Sequence, residues 1–345
     1  MQSIAHAIAG LLLAGTAFGS TINVPADHPT IQGAIDAASD GDEIIVAPGT
    51  YTGTGDQVVN LLGKDITLRS SDGAGVTIID AESARRGLVC SSGESIATII
   101  DGFTIRNGFA AQAAGVYVLQ SAPLIRDCMI ENCQATTSGS GVILNDSPAI
   151  FERCTITGND SEGSGGGVLM TFSHATFIDC TISGNQSGGN GGGIWADQSE
   201  FTLSGCELLN NITLSDGAGL YMSGHFVEPL VEGCTISGNT GIGMWADGGG
   251  ISTYECVPTI KGCLISGNSV QGSQSRGGAF SCYQSEATLS NCELSNNNAT
   301  FEGGAAWIYD SSPSLSACEI NDNVAARITP EFLHFAVGAN CRMQY

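Results

Sequence analysis

The sequence predicts an all-β fold, a right-handed parallel β-helix formed by one domain, with a short N-terminal capping helix. A short unit recurs along most of the chain, at steps of 26, 28 or 29. Within each unit the apolar residues alternate with a period of two, which is typical of strands. Glycine is abundant, with 48 in 345 residues, and only 13% of residues are charged. The chain is therefore expected to wind into coils that hydrogen-bond to one another at about 4.8 Å.

Residues 1–19 are predicted to be a secretory signal peptide. A mostly apolar stretch from Ile8 to Ala17 is followed by the small residues Gly19 and Ser20, although the segment has no Lys or Arg. A short buried segment is the alternative. We expect an extracellular or cell-surface protein, and no apolar run is long enough for a membrane-spanning helix in the mature chain.

The β-helix domain is expected to span residues 20–323, with its N-terminal cap at about 27–41. Apolar residues recur there at helical spacing, at Ile31, Ala34, Ile35 and Ala38. A short amphipathic helix at this place would cover the open end of the hydrophobic core. Counting from residue 42 to residue 323 gives ten or eleven coils.

The C-terminal tail, 324–345, departs from the repeat. Thr329-Pro330-Glu331 is typical of a helix start and Gly338 of a helix end. The apolar residues between them are Phe332, Leu333, Phe335 and Ala336. The tail is either a second cap or a divergent, shortened end of the repeat, and we expect the cap.

One cysteine recurs in each unit. The cysteines in register are Cys128, Cys154, Cys180, Cys206, Cys234, Cys263, Cys292 and Cys318, and Gly102 precedes the first of them by the same step. Because cysteine behaves as a small buried hydrophobe, we expect an internal column of free thiols. One or two disulfides between adjacent coils are the alternative. One ligand per coil, without a Cys-x-x-Cys pair, does not favour a zinc site.

Asparagine recurs five residues after these cysteines. The column comprises Asn159, Asn185, Asn211, Asn239, Asn268, Asn297 and Asn323, with Cys133 in the preceding unit and Asn107 assigned to the same register. A further column of serines precedes the cysteines by seven residues, at Ser121, Ser147, Ser173, Ser199, Ser285 and Ser311. Polar side chains at a tight turn can bond to the backbone of the next coil, so we expect structural ladders.

A glycine landmark, Gly-Gly-(Gly/Ala) before an apolar residue, recurs as at Gly191–Gly193, and Ile-x-Gly-Asn recurs as at Ile182–Asn185. These repeats resemble those of chlamydial polymorphic outer membrane proteins. The pattern over residues 22–323, with the opening stretch Pro29–Tyr51, resembles the right-handed β-helix proteins of the pectin-lyase-like superfamily. The resemblance implies the fold but not an activity, because that scaffold carries lyases, hydrolases, epimerases and non-enzymatic adhesins.

The enzyme motifs that the resemblance implies are missing. Polygalacturonases of the superfamily carry Gly-His-Gly and Arg-Ile-Lys, and neither string occurs here. Two strings resemble the Trp-x-Asp-His string of a lyase, but Gln198 and Gly248 stand in place of the histidine. His174 and His225 have no nucleophile nearby in the sequence. The acidic residues are expected to lie scattered over turns rather than paired in one column, so we assign no catalytic residue.

Aromatic residues recur at outward positions near the strand that follows the glycines. The candidate ligand-binding residues are Trp195, Tyr221, Trp245, Tyr254, Tyr283, Trp307 and Tyr309. Exposed rings in a line can stack on sugar rings, and lateral stabilisation of the sheet is the alternative explanation. The segments Thr240–Asp247 and Ser269–Arg276 have eight residues where other units have five. They are expected to form a rim beside these aromatics.

These observations predict a secreted or cell-surface β-helix repeat protein, non-enzymatic, with an adhesive or glycan-binding role. A polysaccharide-active enzyme, either a pectate-lyase-like lyase or a glycoside hydrolase, is the alternative. The net charge of −23 excludes nucleic acid and disfavours a polyanion unless a cation bridges. Calcium at the acidic turns is the one cofactor that the sequence leaves open. The 22 residues after the last repeat are too few for a membrane barrel, so outer membrane association would need another chain.

Overall fold

The computed structural model describes residues 19–327, 336–337 and 342–343. This part of the chain forms a parallel β-helix of about twelve turns, and the predicted all-β solenoid is confirmed. The predicted signal peptide lies outside the described residues, apart from Gly19. The solenoid has more turns than the sequence count because it starts before residue 42, with Thr21–Val24, and continues after residue 323.

The strands form four parallel sheets, here named A to D, and a regular coil crosses them in the order C, A, B, D. Sheet A consists of Thr21–Val24, Glu43–Val46, Thr67–Ser70, Ile99–Asp101, Leu124–Arg126, Ile150–Glu152, Thr176–Ile178, Thr202–Ser204, Leu230–Glu232, Thr259–Lys261, Thr288–Ser290, Ser314–Ser316 and Ala336–Val337. Sheet B consists of Gly49–Tyr51, Thr77–Asp80, Thr104–Arg106, Met129–Glu131, Thr155–Thr157, Thr181–Ser183, Glu207–Leu209, Thr235–Ser237, Leu264–Ser266, Glu293–Ser295, Glu319–Asn321 and Arg342–Met343. Sheet C consists of Gln57–Asn60, Arg86–Cys90, Val116–Leu119, Val142–Asn145, Val168–Thr171, Ile194–Asp197, Leu220–Ser223, Ile251–Tyr254, Phe280–Tyr283 and Ala306–Tyr309. Sheet D consists of Phe109–Gln112, Gln134–Ser138, Asp160–Ser161, Gln186–Ser187, Ile212–Thr213, Thr240–Gly241, Ser269–Val270, Asn298–Glu302 and Val324–Arg327.

Three corners of each regular coil share one construction. A residue with left-handed backbone is followed by a buried ladder residue, as at Asp179 before Cys180 and Asn210 before Asn211. Glycine, asparagine and aspartate tolerate this backbone best, and they occupy most of these positions. The corners therefore bend the chain without a helix, which is why so short a unit can close one coil.

The cysteine column lies at the corner between sheets A and B. Each thiol from Cys154 to Cys318 donates to a backbone carbonyl of the preceding coil, as Cys180 Sγ does to Phe151 O at 3.4 Å. All twelve cysteines that the structure describes are buried, and none of them is in a disulfide. Burial raises the pKa of Cys128 well above that of a free thiol.

The asparagine column lies at the corner between sheets B and D. Asn211 Nδ2 donates to Ile182 O at 2.9 Å and to Asn239 Oδ1 at 3.0 Å, while the backbone N–H of Asn211 donates to the same Oδ1 at 2.9 Å. These bonds repeat from Asn159 to Asn297. Each buried side-chain amide thus supplies hydrogen bonds to backbone groups that lack a partner in the sheets because the chain turns at the corner.

Glycine is needed where sheet D turns into sheet C. A Cβ on Gly193 would lie 2.5 Å from Gly219 O and 2.9 Å from Asn211 Nδ2. The last glycine of the landmark therefore lets successive coils approach beside the asparagine column.

The capping helix is Ile31–Ala37, within the predicted 27–41. Thr30 Oγ1 accepts from Gly33 N at its start, and Lys64 Nζ donates to three carbonyl oxygens at its end. Ile31, Ala34 and Ile35 are buried against the first coil. The helix covers the end of the core as the apolar spacing predicts.

The structure corrects three assignments. Gly102 pairs in register with Asp127, and Asn107 with Asn132, so both lie one residue before the cysteine and asparagine columns. The coil before Cys128 is one residue shorter than the regular coils that follow. In the tail, Ala336 lies in a strand that pairs with sheet A and not in the predicted helix, because the free edge of Ser314–Ser316 offers it backbone hydrogen bonds. Residues 328–335 lie outside the described residues.

Candidate functional site

The outer face of sheet C carries two columns of side chains. The first column is Tyr117, Ile143, Leu169, Trp195, Tyr221, Ser252, Ser281 and Trp307. The second is Leu119, Asn145, Thr171, Asp197, Ser223, Tyr254, Tyr283 and Tyr309. Every residue of the first column is bulky except the two serines. Ser252 and Ser281 leave a gap between the side chains of Tyr221 and Trp307 that extends over two successive coils.

The tyrosines of the second column form a continuous stack. Tyr254 and Tyr283 have ring centres 5.2 Å apart, and Tyr283 and Tyr309 have ring centres 5.0 Å apart, with nearly parallel planes. Trp307 stacks on Tyr309 at 5.8 Å. The rings support one another across coils, as lateral stabilisation requires, and they also form one wall beside the serines.

A polar column lies on the other side of the serines, at the corner between sheets D and C. Asp247 N donates to Asp216 Oδ1 at 2.8 Å, and Arg276 N donates to Asp247 Oδ1 at 2.8 Å. The column continues below with Asn190 Oδ1, which accepts from Asp216 N. The expectation that the acidic residues do not pair in one column is therefore wrong for Asp216 and Asp247.

These features enclose a cavity of about 260 Å³, here named the serine cavity. Its lining residues are Asp216, Tyr221, Asp247, Ser252, Thr253, Tyr254, Arg276, Ser281, Tyr283 and Trp307. The serines are buried at its floor. The two eight-residue segments reach it through their last residues, Asp247 and Arg276, so the predicted rim contributes charged groups as well as bulk.

The electrostatics of the serine cavity favour protonated carboxyls. Burial raises the pKa of Asp216 to about 6. Burial, and then the charge of Asp216, raise the pKa of Asp247 to about 7, against the opposing effect of Arg276. Burial, followed by the same carboxylate, also raises the pKa of Tyr221. Near neutral pH one carboxyl of the pair can therefore carry a proton while the other is ionised.

Arg276 lies at the edge of this cavity. Its Cζ atom is 4.8 Å from the ring centre of Trp307 and 5.7 Å from that of Phe301. Its Nε is 3.8 Å from Glu302 Oε2, which is too long for a hydrogen bond. Within the described residues, Arg276 Nε and Trp307 Nε1 are the buried side-chain polar atoms that have no hydrogen-bond partner.

The remaining predicted aromatics lie outside the serine cavity. Trp195 borders a second depression of about 310 Å³ on the same face, together with Ile143, Leu169 and polar residues of neighbouring coils. Tyr309 supports Tyr283 from the next coil. Trp245 is 58% exposed in its loop and lines neither cavity.

Neither predicted loop histidine reaches the site. His225 Nε2 is 3.0 Å from Glu255 Oε2, and His174 Nε2 is 3.8 Å from Glu200 Oε2. Over the described ranges, no three His, Cys, Asp or Glu side chains are grouped as metal ligands. The helix in these ranges is too short to cross a bilayer.

The family model for the right-handed β-helix region matches residues 54–224 and 166–329, and these overlapping matches cover most of the sequence. The chain belongs to the right-handed β-helix family. No curated protein matches the sequence of this β-helix protein.

Solved structures share the fold at low sequence identity. The A-module of the mannuronan C-5 epimerase AlgE6 from Azotobacter vinelandii superposes with a TM-score of 0.53 and 14% identity over 91% of this chain and 93% of its own. The pectate lyase Pel9A superposes with a TM-score of 0.52 and 14% identity over 93% of this chain and 78% of its own. At such identity the likeness concerns the fold alone, and the chemistry has to be argued from the serine cavity.

Proposed function

We propose that this β-helix protein binds a polysaccharide or cell-surface glycan on the outer face of sheet C, with one sugar residue in the serine cavity. The observation that carries the proposal is the replacement of two bulky residues by Ser252 and Ser281 between Tyr221 and Trp307. Aromatic rings offer stacking surfaces for the apolar face of a sugar, and carboxyl and guanidinium groups bond its hydroxyls.

The rest of the glycan would run along the solenoid axis. The depression beside Trp195 lies on the same face and in earlier coils of the stack, so a linear chain would reach both places. A rigid sheet loses little conformational entropy on binding, which suits an extended ligand. The solved neighbours are named for pectate and mannuronan, both polysaccharides. A place outside the cell is part of the proposal and depends on the signal peptide predicted at residues 1–19.

The test is affinity electrophoresis of the purified protein through gels that contain single soluble polysaccharides. At least one polysaccharide should retard the wild type, and Tyr221→Ala should abolish the retardation without changing the circular dichroism spectrum. Trp245→Ala is the matched control, because it removes an exposed aromatic that does not line the cavity. Equal loss in both variants, or no retardation by any polysaccharide, would contradict the proposal.

A second candidate function is glycoside hydrolysis at the same cavity, and the paired Asp216 and Asp247 favour it. Their pKa values of about 6 and about 7 would keep one carboxyl as a proton donor and the other as a base or nucleophile. Equivalent residues of adjacent coils lie about 5 Å apart, which is close to the spacing of carboxyls in retaining glycosidases. Release of reducing ends without unsaturated products, lost in both Asp216→Asn and Asp247→Asn, would establish hydrolysis. Tight binding with no release would leave the protein a binder.

A further inference from the structure

Arg276 differs from the other arginines whose side chains the structure describes. Each of the others donates a side-chain hydrogen bond to a carboxylate or a carbonyl: Arg69, Arg85, Arg86, Arg106, Arg126 and Arg153. Arg276 donates none, and its guanidinium instead stacks on Trp307 at the wall of the serine cavity. Unpaired donors at a partly buried site cost stability, so they indicate a partner that arrives with the ligand.

The charge of this guanidinium is already balanced by the protein. Glu302 lies 3.8 Å from Arg276 Nε, and the carboxyl of Asp247 accepts the backbone N–H of the same arginine. Asp216 follows in the next coil of the column. When these carboxyls are ionised, the site holds three negative groups against one positive group.

We propose that Arg276 makes the serine cavity selective for uncharged sugars, donating to one ring hydroxyl while the Asp216–Asp247 pair accepts from a neighbouring hydroxyl. The inference rests on the proposed glycan binding. A hydroxyl can both donate and accept a hydrogen bond. Two neighbouring hydroxyls of a sugar can therefore bond at the same time to a guanidinium, which only donates, and to carboxylates, which only accept. A uronate would instead bring another negative charge into a site that is negative on balance. Trp307 Nε1 supplies a second donor beside the guanidinium once the ligand and the arginine adjust.

The test is isothermal titration calorimetry at pH 8 and low ionic strength with hexasaccharides of matched length. The uncharged probes are cellohexaose, mannohexaose and xylohexaose, and the charged probe is hexagalacturonate. The best uncharged probe should bind at least tenfold more tightly than hexagalacturonate. Arg276→Lys should weaken that binding at least fivefold, because an ammonium cannot reproduce the planar fork. Arg153→Lys is the control and should leave affinity unchanged, since Arg153 is bonded to Asp127 away from the cavity.

A double variant that should gain affinity for the charged hexasaccharide provides a second test. Asp247→Asn combined with Glu302→Gln removes two compensating charges and should raise the affinity for hexagalacturonate at least tenfold. Tighter binding of hexagalacturonate by the wild type, or unchanged affinity in Arg276→Lys, would overturn the inference while glycan binding stands. If no hexasaccharide binds, and the polysaccharide gels show no retardation either, the proposed function itself fails and the inference fails with it. Circular dichroism spectra and melting temperatures confirm that each variant is folded.

Discussion

Asp247 makes the protein less stable as the pH rises, and Asp247→Asn should remove that effect. The pKa of Asp247 is about 7 in the folded protein against 3.8 for an ordinary aspartate. A carboxyl whose pKa is raised by folding contributes its full stability below pH 3.8, and this contribution is lost as the pH rises to about 7. Above that pH the folded protein must hold a charge that burial and Asp216 both oppose.

The size of the effect follows from the same two pKa values. A pKa of about 7 in place of 3.8 corresponds to at most ~4 kcal/mol of lost stability at pH 8. Asp247 is only partly buried, so solvent screening reduces the expected gain from Asp247→Asn to about 1–2 kcal/mol. The asparagine keeps Oδ1 as the acceptor for the backbone N–H of Arg276, so the fold loses no hydrogen bond there.

The assay is the melting temperature of wild type and variant by differential scanning calorimetry between pH 5 and pH 9. Asp247→Asn should raise Tm by about 1–3 °C at pH 8 and by less than half as much at pH 5. Asp127→Asn is the control, because a hydrogen bond from Arg153 lowers the pKa of Asp127 and keeps it ionised throughout this range. That variant should lower Tm slightly and equally at both pH values. An equal rise at pH 5 and pH 8 for Asp247→Asn would refute the reasoning.

Three further predictions concern the ladders and the corners. Asn211→Ala leaves buried donors and acceptors of two neighbouring coils unpaired, so urea denaturation should show a free energy of unfolding that is lower by about 2–5 kcal/mol. Asn323→Ala, near the end of the column, should lower it by less. Gly193→Ala should abolish soluble folded protein because its Cβ meets backbone oxygen at 2.5 Å, whereas Gly55→Ala, with its nearest contact at 3.9 Å, should fold normally. A Cys341→Ser variant should show no thiol reactive towards Ellman's reagent when folded and twelve in guanidinium chloride, and a smaller number in denaturant would reveal disulfides.

The regular part of the fold could be predicted from the sequence because a solenoid repeats its packing. A cysteine at one corner and an asparagine at the next recur at almost constant spacing, and the sheets pair them in that register. The outward columns of sheet C follow from the same register, which is why the aromatic face could be named residue by residue. For Gly102 and Asn107 the prediction is wrong by one residue, because their coil is one residue shorter than the later coils from which the spacing is taken.

The polar column could not be found by spacing alone. Its members Asp216, Asp247 and Arg276 are further apart than a regular step, because the eight-residue segments and the longer loop after Ser223 stretch these coils. A usable indication was present in the glycine landmark: each of the three residues directly precedes its first glycine. The raised pKa values of the two carboxyls depend first on burial, and only the three-dimensional structure supplies that burial.

The serine cavity lies where two successive coils depart from the repeat in the same way. Thr240–Asp247 leads into the strand that carries Ser252, and Ser269–Arg276 leads into the strand that carries Ser281. In a solenoid, a small residue in one coil is covered by the bulky residues above and below it. The same change in two adjacent coils cannot be covered in this way, and it opens a space wide enough for a ligand. Departures that neighbouring units share, more than the regular ladder positions, are therefore the places in such a repeat where function should be sought.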